Sequence, residues 1–162
     1  MLIPPEGRRE GTKGAKPGVV GSPNGEYTAF VDTWSPAFLE RAAHSGLEFE
    51  ARFYRRGVER CPSNTEALAE LGHVLTRLER FEEGLEVDRQ LVRLVPENET
   101  AHYNLACSLA LCAQPDAAIE ALEGAVALGY IDVGHLLTDE DLVSLRDNPR
   151  FQEIISRLRG PL

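Results

Sequence analysis

The sequence predicts an all-α fold, a superhelical stack of helix–turn–helix hairpins. First, one 34-residue pattern is written twice between Asn64 and Tyr130: Pro62 and Pro96 stand 34 apart, as do Asn64 and Asn98, Leu71 and Leu105, and Leu75 and Leu109. Small residues keep the same register, Gly72 with Ala106 and Gly84 with Ala118. Second, apolar residues recur at helical spacing in each half of the pattern, and no stretch alternates long enough for a sheet. A repeat of this period means stacked units, none of which buries its apolar face alone.

The 162 residues are 43% hydrophobic and 27% charged, with a formal net charge of -9. That length fits one domain with a tail, large enough for a core without disulfides or metals. Nucleic-acid binding needs a basic patch, and none is evident. Acidity instead repels anions and draws basic partners. Cys61, Cys107 and Cys112 form no Cys-x-x-Cys pair and read as buried, reduced thiols. Cys107 and Cys112 fall on different faces of one helix, so a redox pair is not expected. No apolar run approaches the roughly 18 residues of a membrane span. The start, Met-Leu-Ile-Pro-Pro-Glu, lacks the basic flank and apolar core of a secretory signal, so a cytoplasmic location is expected.

Residues 1–32 hold six glycines and four of the ten prolines, and their charges cancel. They carry too little apolar surface to offset ordering entropy and are expected to be a disordered tail. Order is expected from Trp34. Ser35-Pro36 begins a helix to about His44, Ser45-Gly46 breaks it, and a second helix from about Leu47 to Arg60 turns Phe49, Phe53, Tyr54 and Val58 inward. Cys61-Pro62 stops it. The clear pair follows: a helix from about Thr65 to Leu78 with Leu68, Leu71, Leu75 and Leu78 in one stripe, then about Phe81 to Leu94. The plan repeats at about Glu99–Cys112 and Pro115–Leu128, with Gly129 as a natural helix end. Thr138-Asp139-Glu140-Asp141 reads as a capping box opening a short helix to about Arg146, and Asn148-Pro149 opens another to about Arg159. These two are expected to cap the array, as its last apolar face requires.

The spacing resembles the tetratricopeptide repeat (TPR), a 34-residue helix–turn–helix unit. In the unit from Thr65, Leu68, Leu71, Gly72, Leu75, Gly84 and Pro96 match its large, small and proline positions, whereas Asp88 and Leu91 depart. In the unit from Glu99, His102, Leu105, Ala106, Leu109, Ala118, Leu122 and Ala125 stand at the pattern's positions, and Tyr130 replaces the closing proline. A third unit, 31–64, keeps Trp34, Tyr54 and Pro62 but has Glu50 where a small residue belongs, so it resembles a degenerate repeat. The end, Leu137–Leu142 with Leu145, Arg146 and Asn148–Phe151, is similar to the closing segment of many bacterial TPR proteins. The resemblance divides the chain into a tail (1–32), a degenerate repeat (33–64), two good repeats (65–98 and 99–130) and capping helices (131–160).

The resemblance implies a non-catalytic interaction scaffold whose first helices line a concave groove for a partner's peptide or helix. Its groove positions fall on Glu66, Ala69, Glu70, His73, Thr76 and Arg77, and on Thr100, Tyr103, Asn104, Cys107, Ala110 and Leu111. This mixed, partly acidic surface implies a neutral or basic protein segment with an apolar anchor, and neither nucleic acid nor membrane. Asn104 matches a carboxylate-gripping asparagine known in the family, but the accompanying cations are missing. Each candidate has a structural alternative: Asn104 bridging repeats, Tyr103 packing in the core, His73 as a passive surface residue. Self-assembly, with one molecule's end filling another's groove, is compatible with the same surface. No catalytic or metal-binding spacing is visible and no cofactor is expected, although such sites are spatial and an enzyme reading stays open.

Overall fold

The computed structural model describes residues 34–160. The order is α1 (Pro36–Arg60), α2 (Thr65–Arg77), α3 (Phe81–Leu94), α4 (Glu99–Leu111), α5 (Pro115–Leu128), α6 (Val133–Thr138), a 3-10 helix (Glu140–Leu145) and α7 (Pro149–Arg159). The fold is all-α, with no strand among the described residues. The expected 1–32 tail lies outside the described residues.

Two hairpins, α2–α3 and α4–α5, form the repeated core. Their first helices start alike: the side chains of Asn64 and Asn98 accept from the N–H groups of Ala67 and Ala101 at 3.0 and 2.8 Å. Such caps are each worth about 1 kcal/mol. Their turns are also alike. Glu79 and Ala113, both 34 apart in sequence, take positive φ of 58° and 55°. The next residues, Arg80 and Gln114, donate back to the carbonyls of Leu75 and Leu109, both at 2.9 Å. These six-residue closures satisfy carbonyls that the helix end leaves open. Within each hairpin the small positions meet: a Cβ on Gly84 would stand 3.8 Å from the Gly72 carbonyl oxygen, and Ala106 and Ala118 are fully buried. Leu68, Leu75 and Leu122 are fully buried too, each contributing about 1.5–3 kcal/mol.

The two ends depart from expectation. Ser45-Gly46 does not break a helix; α1 runs unbroken through it. A lone glycine costs a helix only about 1 kcal/mol, whereas proline would stop it. Phe49 and Phe53 do not turn inward but are 64% and 63% exposed. The inward stripe is Leu47, Ala51, Tyr54 and Val58, packed with Leu71, Val74 and Leu75. At the other end, Thr138 closes α6 rather than opening a helix, its hydroxyl donating to the Gly134 carbonyl at 3.0 Å. Asp139 caps the 3-10 helix by accepting from the Asp141 N–H at 2.9 Å. Leu136, Leu142, Leu145, Phe151, Ile154 and Ile155 join the core of α4–α5, so the closing segment packs on the last hairpin.

Candidate partner-binding groove

Two hollows line the face where α2 and α4 run. A cleft of about 780 Å³ lies between α1 and α2, with Phe49, Phe53, Glu66 and Glu70 on its walls. A smaller cavity of about 310 Å³ lies where α2, α3 and α4 meet the closing segment. It is lined by His73, Thr76, Asp88, Tyr103, Asn104, Cys107, Ser108, His135, Asp139 and Asp141, with Gly72 at its floor.

The structure distributes the expected groove residues unevenly. His73, Thr76, Tyr103, Asn104 and Cys107 converge on the smaller cavity. Glu66 and Glu70 face the larger cleft. Arg77 and Thr100 are exposed, and Ala69 and Leu111 are half-buried, but none of these four lines either hollow. Tyr103, Cys107 and Ala110 are 4%, 8% and 5% exposed, because the chain's own 3-10 helix packs on α4.

Asp139 organises this contact. Its Oδ2 accepts from the Tyr103 hydroxyl and from the Cys107 thiol, the latter at 3.7 Å. Arg146 Nη2 donates to its backbone carbonyl at 3.0 Å. The Tyr103 ring stacks on Tyr130, with centroids 4.4 Å apart and planes 6° from parallel. The Tyr130 hydroxyl in turn meets His135 Nδ1 at 2.8 Å. Tyr130 reaches this place because Gly129, at φ 116°, turns the chain back at the end of α5.

Asp88 forms the opposite wall. It is only 4% exposed, and its Oδ2 accepts from the Ser108 hydroxyl at 2.5 Å, which ties α3 to α4. A Cβ on Gly72 would stand 2.7 Å from Asp88 Oδ1, so the glycine makes room for the carboxylate. Burial pushes the Asp88 carboxyl up to about 6, with the Ser108 hydrogen bond pulling the other way. The Asp141 carboxyl is raised by burial and by Asp139 beside it, with His73 opposing. Burial above all, and nearby Asp139, raise the Cys107 thiol and keep it protonated. The Tyr103 phenol is raised chiefly by burial as well.

Sequence reading missed Asp88, Ser108, His135, Asp139 and Asp141 as groove walls. A signal existed for Asp88, a carboxylate at a position where the repeat asks for an aromatic. The others arrive through long-range folding and leave no local mark. Cys107, Asp139 and Asp141 bring ligand atoms within 4.8 Å of one another. Two of the three are already engaged: the thiol donates to Asp139 Oδ2, and Asp139 Oδ1 caps the 3-10 helix. A metal would need the thiolate, which burial disfavours.

Stacked hairpins with a groove on the first-helix face define a TPR-like architecture. Among solved structures, the crystal structure of MamA, a TPR-like protein, matches with a TM-score of 0.58 and 20% identity, covering 75% of this chain and 71% of that one. No family model matches the chain, and no curated protein sequence matches it either. Among the described residues, no helix is long and apolar enough to cross a membrane.

Proposed function

We propose that this protein is a non-catalytic interaction module that holds a peptide or helix of a protein partner in the groove between α2, α4 and the closing segment. The occupant presents a basic side chain beside a neutral or apolar anchor. One observation carries this reading: Asp88, Asp139 and Asp141 share a cavity of about 310 Å³ whose lining residues include no lysine or arginine. The three carboxylates share the lining with only His73 and His135, and Arg146 reaches Asp139 through its backbone carbonyl, so a guanidinium or ammonium group entering about 4 Å away would gain Coulomb energy that its desolvation partly offsets. Asn104 and Thr76 on the same walls supply hydrogen bonds to orient the guest. The non-catalytic part is supported by Cys107, whose buried, protonated thiol is a poor nucleophile.

Affinity capture with the wild type and an Asn104→Ala/Asp141→Asn variant as parallel baits tests the reading. Partners held through the groove should be retained by the first and weakened at least about 10-fold with the second, at unchanged helical content. Partners that bind both baits alike would rule the groove out.

A further inference from the structure

Three carboxylates face the acidic cavity, and their hydrogen bonds set them apart. Asp139 is engaged on both oxygens: Oδ2 accepts from the Tyr103 hydroxyl and the Cys107 thiol, and Oδ1 accepts from the Asp141 N–H. Asp88 is engaged on one. Its Oδ2 accepts from the Ser108 hydroxyl, and its Oδ1 accepts from no described residue. Among the described residues, Arg146 Nε is the one side-chain nitrogen or oxygen sealed away without a partner. Asp88 Oδ1 is therefore open to the cavity that the residue lines. A side chain only 4% exposed thus turns a free oxygen into the groove. It reaches this face from α3, behind α2, because Gly72 has no side chain: a Cβ there would stand 2.7 Å from Oδ1. The Asp141 carboxylate accepts no hydrogen bond among the described residues. One of its oxygens lies within 4.8 Å of the Cys107 sulfur and of an Asp139 oxygen.

The geometry points to an arginine side chain as the guest's basic group, held between Asp88 Oδ1 and the Asp141 carboxylate. This assignment rests on the groove reading above and deepens it: Asp88 and Asp141 read the cation, and Asp139 positions the wall.

Three physical reasons favour arginine over lysine. The two free acceptors come from different elements, α3 and the closing segment. A planar guanidinium carries five donors in a fixed fork and can serve both at once, whereas an ammonium is a compact point charge with three. Asn104 and Thr76 on the same walls offer oxygens to the donors left over. Second, Asp88 is buried, and a cation that meets it must shed water. Guanidinium is the more weakly hydrated of the two, so it loses less on entry. Third, about 310 Å³ is near the lower limit of ligand pockets, which suits one long side chain rather than a whole helix.

The pairing has a pH signature. Burial holds the Asp88 carboxyl near 6, and a bound cation favours its ionised form. Binding should therefore release a proton and tighten as pH rises through about 6. The other ionisable groups around the cavity are His73 on α2, Tyr103 and Cys107 on α4, His135 on α6, and Asp139 and Asp141 in the closing segment. Histidines also gain charge on acidification, so the Asp88 share is read as the difference between wild type and variant.

The test titrates the full chain with Nα-acetyl-arginine amide and with Nα-acetyl-lysine amide, following amide signals of Gly72, His73 and Asp141 by NMR. The probes carry equal charge, so general attraction to an acidic chain cancels between them. The arginine probe should bind at least about 5-fold tighter than the lysine probe at pH 7.5. Asp88→Asn and Asp141→Asn should each weaken it at least about 10-fold. The wild type should bind it about 10-fold tighter at pH 7.5 than at pH 5, and Asp88→Asn should reduce that ratio at least about 3-fold. Asp88→Asn removes a buried charge and keeps an acceptor for Ser108, so lost binding by this variant is not lost folding. Equal affinity for the two probes overturns the inference, as does undiminished binding by either variant or an unchanged pH ratio in Asp88→Asn. Silence of the cavity amides up to about 50 mM probe, ample for a millimolar site, overturns it too. The groove reading is judged separately, by the comparison of baits above.

Discussion

The two hairpins are written in the same 34-residue pattern, yet they present different faces to the groove. His73 in the first is exposed, and its counterpart Cys107 is buried. Ala69 is half-buried where Tyr103 is sealed, and Glu70 is exposed where Asn104 is half-covered. The core differs in the same way: Asp88 stands where the second hairpin has the fully buried Leu122. The difference comes from position in the stack. The second hairpin is last, so the closing segment folds onto it and takes its groove face as a docking site. The first hairpin is internal; it keeps its groove face open and tolerates a carboxylate in the wall. Repeat identity therefore sets the backbone, while neighbours decide which copy of a groove position stays exposed.

The largest expected effect tests whether the closing segment is integral to the second hairpin. Phe151 is 1% exposed within that core. Phe151→Ala should cost about 3–5 kcal/mol by urea unfolding. A loss under about 1 kcal/mol would mean that the segment rests loosely on α4 and α5, and the contrast between the hairpins would collapse.

The next test concerns the carboxylate. Asp88 has an ordinary value of 3.8 and a folded value of about 6. A raised folded value favours the protonated form, so its contribution is full below about pH 4 and is lost as pH rises through about 6. The gap corresponds to roughly 3 kcal/mol as an upper figure. Asp88→Asn keeps an acceptor for Ser108 and removes the buried charge. It should stabilise the protein by about 2–3 kcal/mol at pH 7 and by little at pH 4, measured by thermal unfolding at both values. Equal effects at the two pH values would show that Asp88 carries no charge at pH 7. Stabilisation confined to pH 7 would instead mark the natural residue as one that trades stability for a charge in the cavity.

The smallest effect is at the tie between α4 and the closing segment. Tyr103→Phe removes the hydroxyl that donates to Asp139 while leaving the ring on Tyr130. A loss of about 1–2 kcal/mol is expected. Amide exchange should accelerate across residues 132–146 and stay unchanged in α2 and α3. Uniform acceleration would mean that the segment does not open separately from the rest.

Most of the helical plan was legible in the residues. The boundaries of α2 to α5 fall within one residue of expectation because their signals are local: Asn64 and Asn98 cap, Pro96 and Pro115 punctuate, and leucines mark the stripe. The ends were less legible. Ser45-Gly46 looks like a break, but a break forms only if the upstream piece gains more by folding back than the straight helix keeps. Thr138 looks like a cap, but Asp139 takes that role once Tyr103 and Arg146 hold it in place.

The sequence by itself determined the period, the all-α class and the close approach of paired helices, because these depend on spacing and on side-chain size at fixed intervals. Only the tertiary structure decided which groove residues stay open, which are sealed by the chain's own end, and that α1 runs unbroken through Ser45-Gly46. Those outcomes depend on contacts between residues far apart in the chain, where burial and charge are set by whatever the rest of the fold brings near.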